Sequence, residues 1–152
     1  MKIRLVLIGC LWLLYGSIWA QATNTTAPLI LSLERTTCYG NCPYYSIEIY
    51  ADGRAVYEGK KNVELMGKYT AIAPPSLVQK LLEKAIAINY VNLNPKYPIR
   101  GLGIIDFPVC ISSVRQNGVL KTIYNRNDAP AALVAYEQLF DELTESLPWQ
   151  AQ

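Results

Sequence analysis

Two cysteines, Cys38 and Cys42, sit close enough along the chain to do chemistry together, and a third, Cys110, lies far downstream. Tyr39-Gly40-Asn41 separates the first two, and Pro43 follows them. Thiols in such a pattern attack disulfides, hold metals or oxidise to a bridge. The spacing is C-x3-C rather than C-x-x-C, and no strand–helix–strand pattern surrounds it, which weighs against a thiol-redox site at Cys38/Cys42. A metal would need Cys110 and a fourth ligand, because the chain contains no histidine. A disulfide needs Cα atoms about 4.4–6.8 Å apart, and a reversal over five residues with Gly40 at its centre supplies that approach. We expect a Cys38–Cys42 bridge that fixes a local turn, contributing about 2 kcal/mol for so short a loop. A bridge from Cys110 to either partner is the alternative. Unbridged, Cys110 reads as a small buried hydrophobe on a strand.

The missing histidine also excludes Ser-His-Asp and Cys-His catalysis and histidine pH switching. The acid–base candidates left are Asp106, beside a glycine-containing loop, with Glu34 or Asp52. Nothing in their spacing joins them, and an Asp before Phe107-Pro108 more often accepts hydrogen bonds in a turn. Gly101-Leu102-Gly103 is no dinucleotide fingerprint, since Asp106 stands where the third glycine belongs and no strand leads in. No cofactor and no metal are expected.

The N-terminus sets the compartment. Met1-Lys2-Ile3-Arg4 is a short basic start, Leu5 to Trp19 is uncharged and apolar, and Ala20-Gln21-Ala22 offers small residues for cleavage. That is the plan of a secretory signal peptide over residues 1–22. The apolar run falls short of the ~20 residues of a membrane span. Leu7-Ile8-Gly9-Cys10 spells a lipoprotein box, but cleavage there would leave too short an apolar core, so lipidation at Cys10 is disfavoured. The expected product is periplasmic or secreted, and contacts a membrane only through its signal. The 14 basic residues fall to 12 once Lys2 and Arg4 are removed, against 12 acidic. A chain with no basic stripe is not a nucleic-acid binder.

The elements around the cysteines follow from periodicity. Residues 23–28 read as a flexible tail, 29–147 as a single domain, and 148–152 as a C-terminal tail that begins at Pro148. Leu29 to Glu34 alternates, with Leu29, Leu31 and Leu33 on one side. Tyr45 to Tyr50 and Arg54 to Glu58 flank Ala51-Asp52-Gly53, with Gly53 at the turn. If Tyr50 faces Arg54, then Ile47, Ile49, Ala55 and Tyr57 share the core face. Gly67 to Ile72 is a weaker strand. Leu77, Val78, Leu81, Leu82, Ala85 and Ile88 make the stripe of a first helix. Residues 94–107 have no clear period and read equally as a functional loop or a crossing connection. A second hairpin turns at Asn117-Gly118. A three-residue turn there pairs Val114 with Leu120 and groups Cys110, Val114, Leu120 and Tyr124 on one face. Asp128 is expected to cap a second helix with Pro130 in its first turn and Leu133, Tyr136, Leu139, Phe140 and Leu143 as its stripe.

Helices and strands together point to an α+β fold: an antiparallel sheet of four to five strands with two helices packed on one face. Ten of the 11 tyrosines lie beyond residue 22. Tyrosine joins large contact area to a polar tip, which suits binding surfaces, although strands also favour it. We assign Tyr45, Tyr57 and Tyr136 to packing. Tyr39, Tyr44, Tyr50 and Tyr97, with Asp106, form the candidate binding surface.

The run Leu33-Glu34-Arg35-Thr36 into Cys38-Tyr39-Gly40-Asn41-Cys42-Pro43-Tyr44-Tyr45 resembles an uncharacterised group of exported bacterial domains, the domain-of-unknown-function family numbered 6438. The likeness continues through Ile49-Tyr50-Ala51-Asp52-Gly53, Tyr57-Glu58-Gly59, Asp106-Phe107-Pro108, Asn117-Gly118 with Lys121, and the Pro130 helix. It spans about Leu29 to Leu147. Cys110 is not part of that pattern, so the resemblance implies pairing of Cys38 with Cys42. It implies no activity. The expected function is a non-enzymatic binding or interaction module of the cell envelope, whose partner is an unidentified envelope protein or ligand. A small periplasmic enzyme or a thiol-redox protein is the alternative.

Overall fold

The structure is a computed structural model, and it describes residues 26–152. The expected signal peptide, Cys10 and the first half of the expected N-terminal tail lie outside the described residues. The chain runs β1 (Leu29–Arg35), β2 (Tyr44–Tyr50), β3 (Arg54–Lys61), β4 (Gly67–Ile72), α1 (Pro75–Ala87), a 3-10 turn (Tyr90–Asn92), β5 (Lys96–Tyr97), β6 (Cys110–Gln116), β7 (Val119–Asn125), α2 (Ala131–Glu145) and β8 (Gln150–Ala151).

The strands make one eight-stranded sheet in the order β5-β7-β6-β1-β2-β3-β4-β8. Every neighbouring pair is antiparallel except β5 with β7. The α+β class holds, but the expected four to five antiparallel strands do not: the sheet is larger and mixed. The added edges, β5 and β8, are two residues each. Two residues cannot show alternation, so their pairing has no local signature. The chain past Pro148 therefore joins the sheet. Trp149 packs against the core, and Gln150 pairs with Thr70.

Alternation sorts the long strands as the side chains require. Leu31, Leu33, Ile47, Ile49, Ala55 and Tyr57 are buried. The first hairpin has the expected register, with Ile49 opposite Ala55 and Ile47 opposite Tyr57. Leu77, Leu81 and Ala85 of α1 and Leu133, Tyr136 and Phe140 of α2 enter the same core. The opposite sheet face carries Ser32, Glu34, Ser46, Glu48 and Glu58, all partly solvated, as an open antiparallel face should.

Two local expectations are corrected. Asn117 and Gly118 form a two-residue turn with positive φ at both, 49° and 80°, so Val114 pairs with Lys121 rather than Leu120. Two-residue turns of that type match the strand twist, and Asn-Gly favours them because both positions take positive φ. Ile123 and Asn125 then face the core, and Tyr124 faces outward and is exposed. Asp128 does not cap α2. It adopts φ 64° in the connection, and Pro130 stands at the cap position without a side-chain hydrogen bond.

Candidate functional site

The end of the sheet nearest the cysteines gathers most of the unusual chemistry. On its helix-covered face, one lateral row of residues runs Asn125, Cys110, Arg35, Tyr45 and Gly59 across β7, β6, β1, β2 and β3. Helix α2 crosses this row. Glu137 reaches Asn125, Asp141 reaches Arg35 and Tyr45, and Trp149 beyond the helix rests on Tyr57. Glu137 and Asp141 are four residues apart, which places both on the same side of the helix.

Arg35 donates to Asp141 Oδ2 through Nη2 at 2.6 Å and Nε at 3.1 Å, and the Tyr45 hydroxyl donates to Oδ1 at 2.7 Å. Burial, then the bond to Asp141, hold the Tyr45 phenol well above its ordinary pKa. Glu137 is buried, takes a 2.8 Å hydrogen bond from Asn125 Nδ2 on one oxygen, and among the described residues leaves Oε1 without a nitrogen or oxygen partner, with the Cys110 thiol beside the carboxyl. Burial raises its pKa to about 7, against the opposing effect of the Asn125 bond. Cys110 is buried and free, and desolvation followed by the nearby Glu137 pushes its thiol up, so it is not a ready nucleophile.

Beside this row opens a cleft of about 570 Å³. Tyr57 is its centre, with Tyr45 stacked on one side at 5.8 Å and Trp149 tilted on the other at 5.6 Å. The connection 62–65, Asp141, Glu145 and Pro43 complete the wall. Gly59 makes this shape possible. A Cβ there would sit 1.8 Å from the Leu65 carbonyl oxygen, so only glycine lets the connection fold back over β3. Trp149 is oriented by its indole N–H, which donates to the Thr144 carbonyl at 3.1 Å.

The cysteine turn and the long loop meet on the rim of the same end. Cys38 and Cys42 form a disulfide with Cα atoms 5.6 Å apart. Thr36 N–H donates to the Val109 carbonyl at 2.9 Å, and Val109 N–H donates to Thr36 Oγ1 at 2.7 Å. This exchange ties the segment entering the turn to the segment leaving residues 94–107. Ile104 N–H donates to Asn127 Oδ1, and Gly103, at φ 70°, leaves no room for a Cβ against that same oxygen. The loop so held exposes Ile99, Leu102, Ile104, Ile105 and Phe107 within nine residues.

The tyrosines chosen from sequence are scattered. Tyr39 stands on the cysteine turn, 93% exposed. Tyr44 lies on the open sheet face beneath Lys60, whose Nζ is 4.6 Å from the ring centroid. Tyr50 lies at the other end of that face, donating to Glu48 with Arg54 stacked over it. Tyr97 is 4% exposed, and its hydroxyl accepts from the Asn94 N–H. It is a core residue and is withdrawn from the binding surface. Its place beside β7 buries it, which a segment without a period could not reveal. Asp106 is exposed on the loop. Glu34 is paired with Lys60 at 3.0 Å, and Asp52 Oδ1 accepts from the Arg54 N–H in the hairpin turn. The three carboxylates do not form one site.

Gly40 lies within the disulfide turn, and its N–H donates to Cys38 Sγ at 3.2 Å. Pro43 leads into β2 at the cleft wall, while Gly53 and Gly118 occupy the two hairpin turns at positive φ. Among the described residues, no group of three or more His, Cys, Asp or Glu could hold a metal ion. None of their helices is long and apolar enough to cross a membrane. Arg35, Glu137, Asp141 and Trp149 were not singled out by sequence. A signal existed for Glu137 alone: it sits in helical register with Leu133 and Phe140, an acid within an apolar stripe.

The family whose sequence model matches the chain, over residues 29–144, is the domain of unknown function DUF6438. This chain belongs to that family. The match covers the sheet from β1 to β7 and α2 almost to its end, and so includes the cysteine turn, the apolar loop and Asp141. No curated protein matches the sequence.

Proposed function

We propose that this DUF6438 domain is an exported, non-enzymatic interaction module that binds a partner protein of the cell envelope through the rim of its cysteine end. The observation that carries the reading is the loop 99–107, which holds five exposed apolar side chains on a pinned backbone. Water contact with contiguous apolar surface is costly, and such patches mark interaction sites. Exposed Tyr39 lies on the turn bonded to the foot of that loop and extends the same rim. The disulfide supports export, since such bridges persist in oxidising compartments. The signal-like residues 1–22 supply the route.

The test is site-specific photocrosslinking in intact cells. A crosslinker at Ile105 should give a discrete protein adduct, and one at Glu58 on the open sheet face should not. The adduct should disappear in a Leu102→Asp variant that carries the same crosslinker and retains the native melting temperature. Equal labelling from both positions, or adducts to lipid alone from Ile105, would remove the reading.

A further inference from the structure

We propose that the cleft between α2, Trp149 and the connection 62–65 is a binding site for an organic cation, an alkylammonium or guanidinium head on a short apolar stem. This site is separate from the rim loop, and the inference does not depend on the partner assigned there. Its volume, about 570 Å³, is that of a small-molecule site. Its walls present three aromatic rings in contact, Tyr45, Tyr57 and Trp149. Aromatic faces attract cations and tolerate the methylenes beside them. The charged groups on the wall are Glu64, Asp141 and Glu145, and among the described residues no lysine or arginine lines the cleft.

The acids differ in availability. Asp141 is shared with Arg35, which approaches from outside the cleft lining, and with the Tyr45 hydroxyl, so it serves mainly to fix the Tyr45 ring. Glu64 and Glu145 are exposed, and neither forms an ion pair among the described residues. Both line the cleft from different segments, one on the connection after β3 and one at the last position of α2. A cation in the cleft has two exposed, unpaired carboxylates and three aromatic rings on its walls. An anionic ligand would be repelled by the free carboxylates, and a neutral one would gain at most hydrogen bonds from them without the charge attraction. The same chemistry is offered by a free diamine and by a lysine or arginine side chain of a peptide.

The experiment follows the Trp149 indole N–H and the backbone amides of ¹⁵N-labelled protein by NMR. Cadaverine should move the Trp149, Leu65 and Glu145 signals in a saturable way. Pentane-1,5-diol, its neutral isostere, should bind at least tenfold more weakly, and glutarate should not bind. Added salt should weaken cadaverine binding, because the mouth carboxylates are exposed. The Glu64→Gln/Glu145→Gln pair, both on the surface, should weaken it about tenfold, because both exposed charge contacts are lost. Tighter binding of a capped Ala-Lys-Ala peptide than of cadaverine would place the natural cation on a protein chain, and the reverse on a free amine. Equal binding of diol and diamine, an unchanged affinity in the double variant, or no response to cadaverine at millimolar concentration would each overturn the proposal. None of these results would alter crosslinking from Ile105.

Discussion

Arg35 and Asp141 are 106 residues apart in sequence, and their side chains meet at 2.6 Å at the centre of the cysteine end. The contact joins β1, in the middle of the sheet, to the last turns of α2. Tyr45 takes the second carboxylate oxygen, so one acid orders a guanidinium and a phenol together. Both partners of the ion pair are about a quarter exposed, which screens the pair less than a surface bridge and desolvates it less than a core one.

Removing one member should show this intermediate character. Asp141→Asn is expected to destabilise the fold by about 1–2 kcal/mol, and Tyr45→Phe by about 1 kcal/mol, in urea unfolding. The double variant should cost less than the sum, since both changes break one network. Strict additivity would mean that the two bonds to Asp141 act separately.

Glu137 gives a pH dependence whose sign is fixed by its shift. Its folded pKa of about 7 lies above the ~4.3 of an exposed glutamate. Between those values the folded state keeps a proton that the unfolded chain has lost. The ionisation of Glu137 therefore costs nothing below pH ~4, and the fold loses stability as the pH rises through about 7, by on the order of 3–4 kcal/mol in all. Glu137→Gln should flatten that slope and be the more stable form above neutrality. The difference in unfolding free energy between wild type and variant, measured from pH 4 to 8, is the check, and a constant difference would contradict it.

Gly59 is expected to be irreplaceable for shape. Gly59→Ala places a Cβ 1.8 Å from the Leu65 carbonyl oxygen and 2.8 Å from a Val63 methyl. The connection 62–65 must move outward, at a cost of about 3 kcal/mol. Amide exchange should rise at residues 62–66 while α1 stays protected. An unchanged melting temperature would show that the connection does not need this close approach.

The disulfide should matter locally. Cys38→Ser/Cys42→Ser is expected to lower stability by about 2 kcal/mol, the entropy of a five-residue loop. Faster amide exchange should be confined to residues 36–43 and, through the Thr36–Val109 bonds, to residues 107–109. Cys110, being buried, should react with a thiol reagent only on unfolding in either form.

Much of the architecture was legible in the chain. Alternation gave β1 to β3 and the first hairpin register, because a one-residue slip would move Ile47, Ile49 and Tyr57 into water. Helical spacing gave both stripes, and Gly40 between two cysteines gave the turn. The second hairpin was misread because grouping Cys110 with Tyr124 on one face outweighed the twist preference of Asn117-Gly118. Tyr97 was misread because a two-residue strand carries no pattern. The tyrosines divide between core and surface, since large amphipathic rings serve both: Tyr57 and Tyr97 are buried, Tyr39 is bare.

The sequence by itself determined the α+β class, the cysteine turn, the absence of histidine chemistry, the longer strands and both helices. These depend on residue type and short-range period, which are local. Only the tertiary structure decided that α2 crosses the cysteine end, that Arg35 finds Asp141, and that Trp149 closes a cleft over Tyr57. Such contacts depend on where long connections return the chain, and the free energy that selects them is the shared burial of residues more than 90 positions apart.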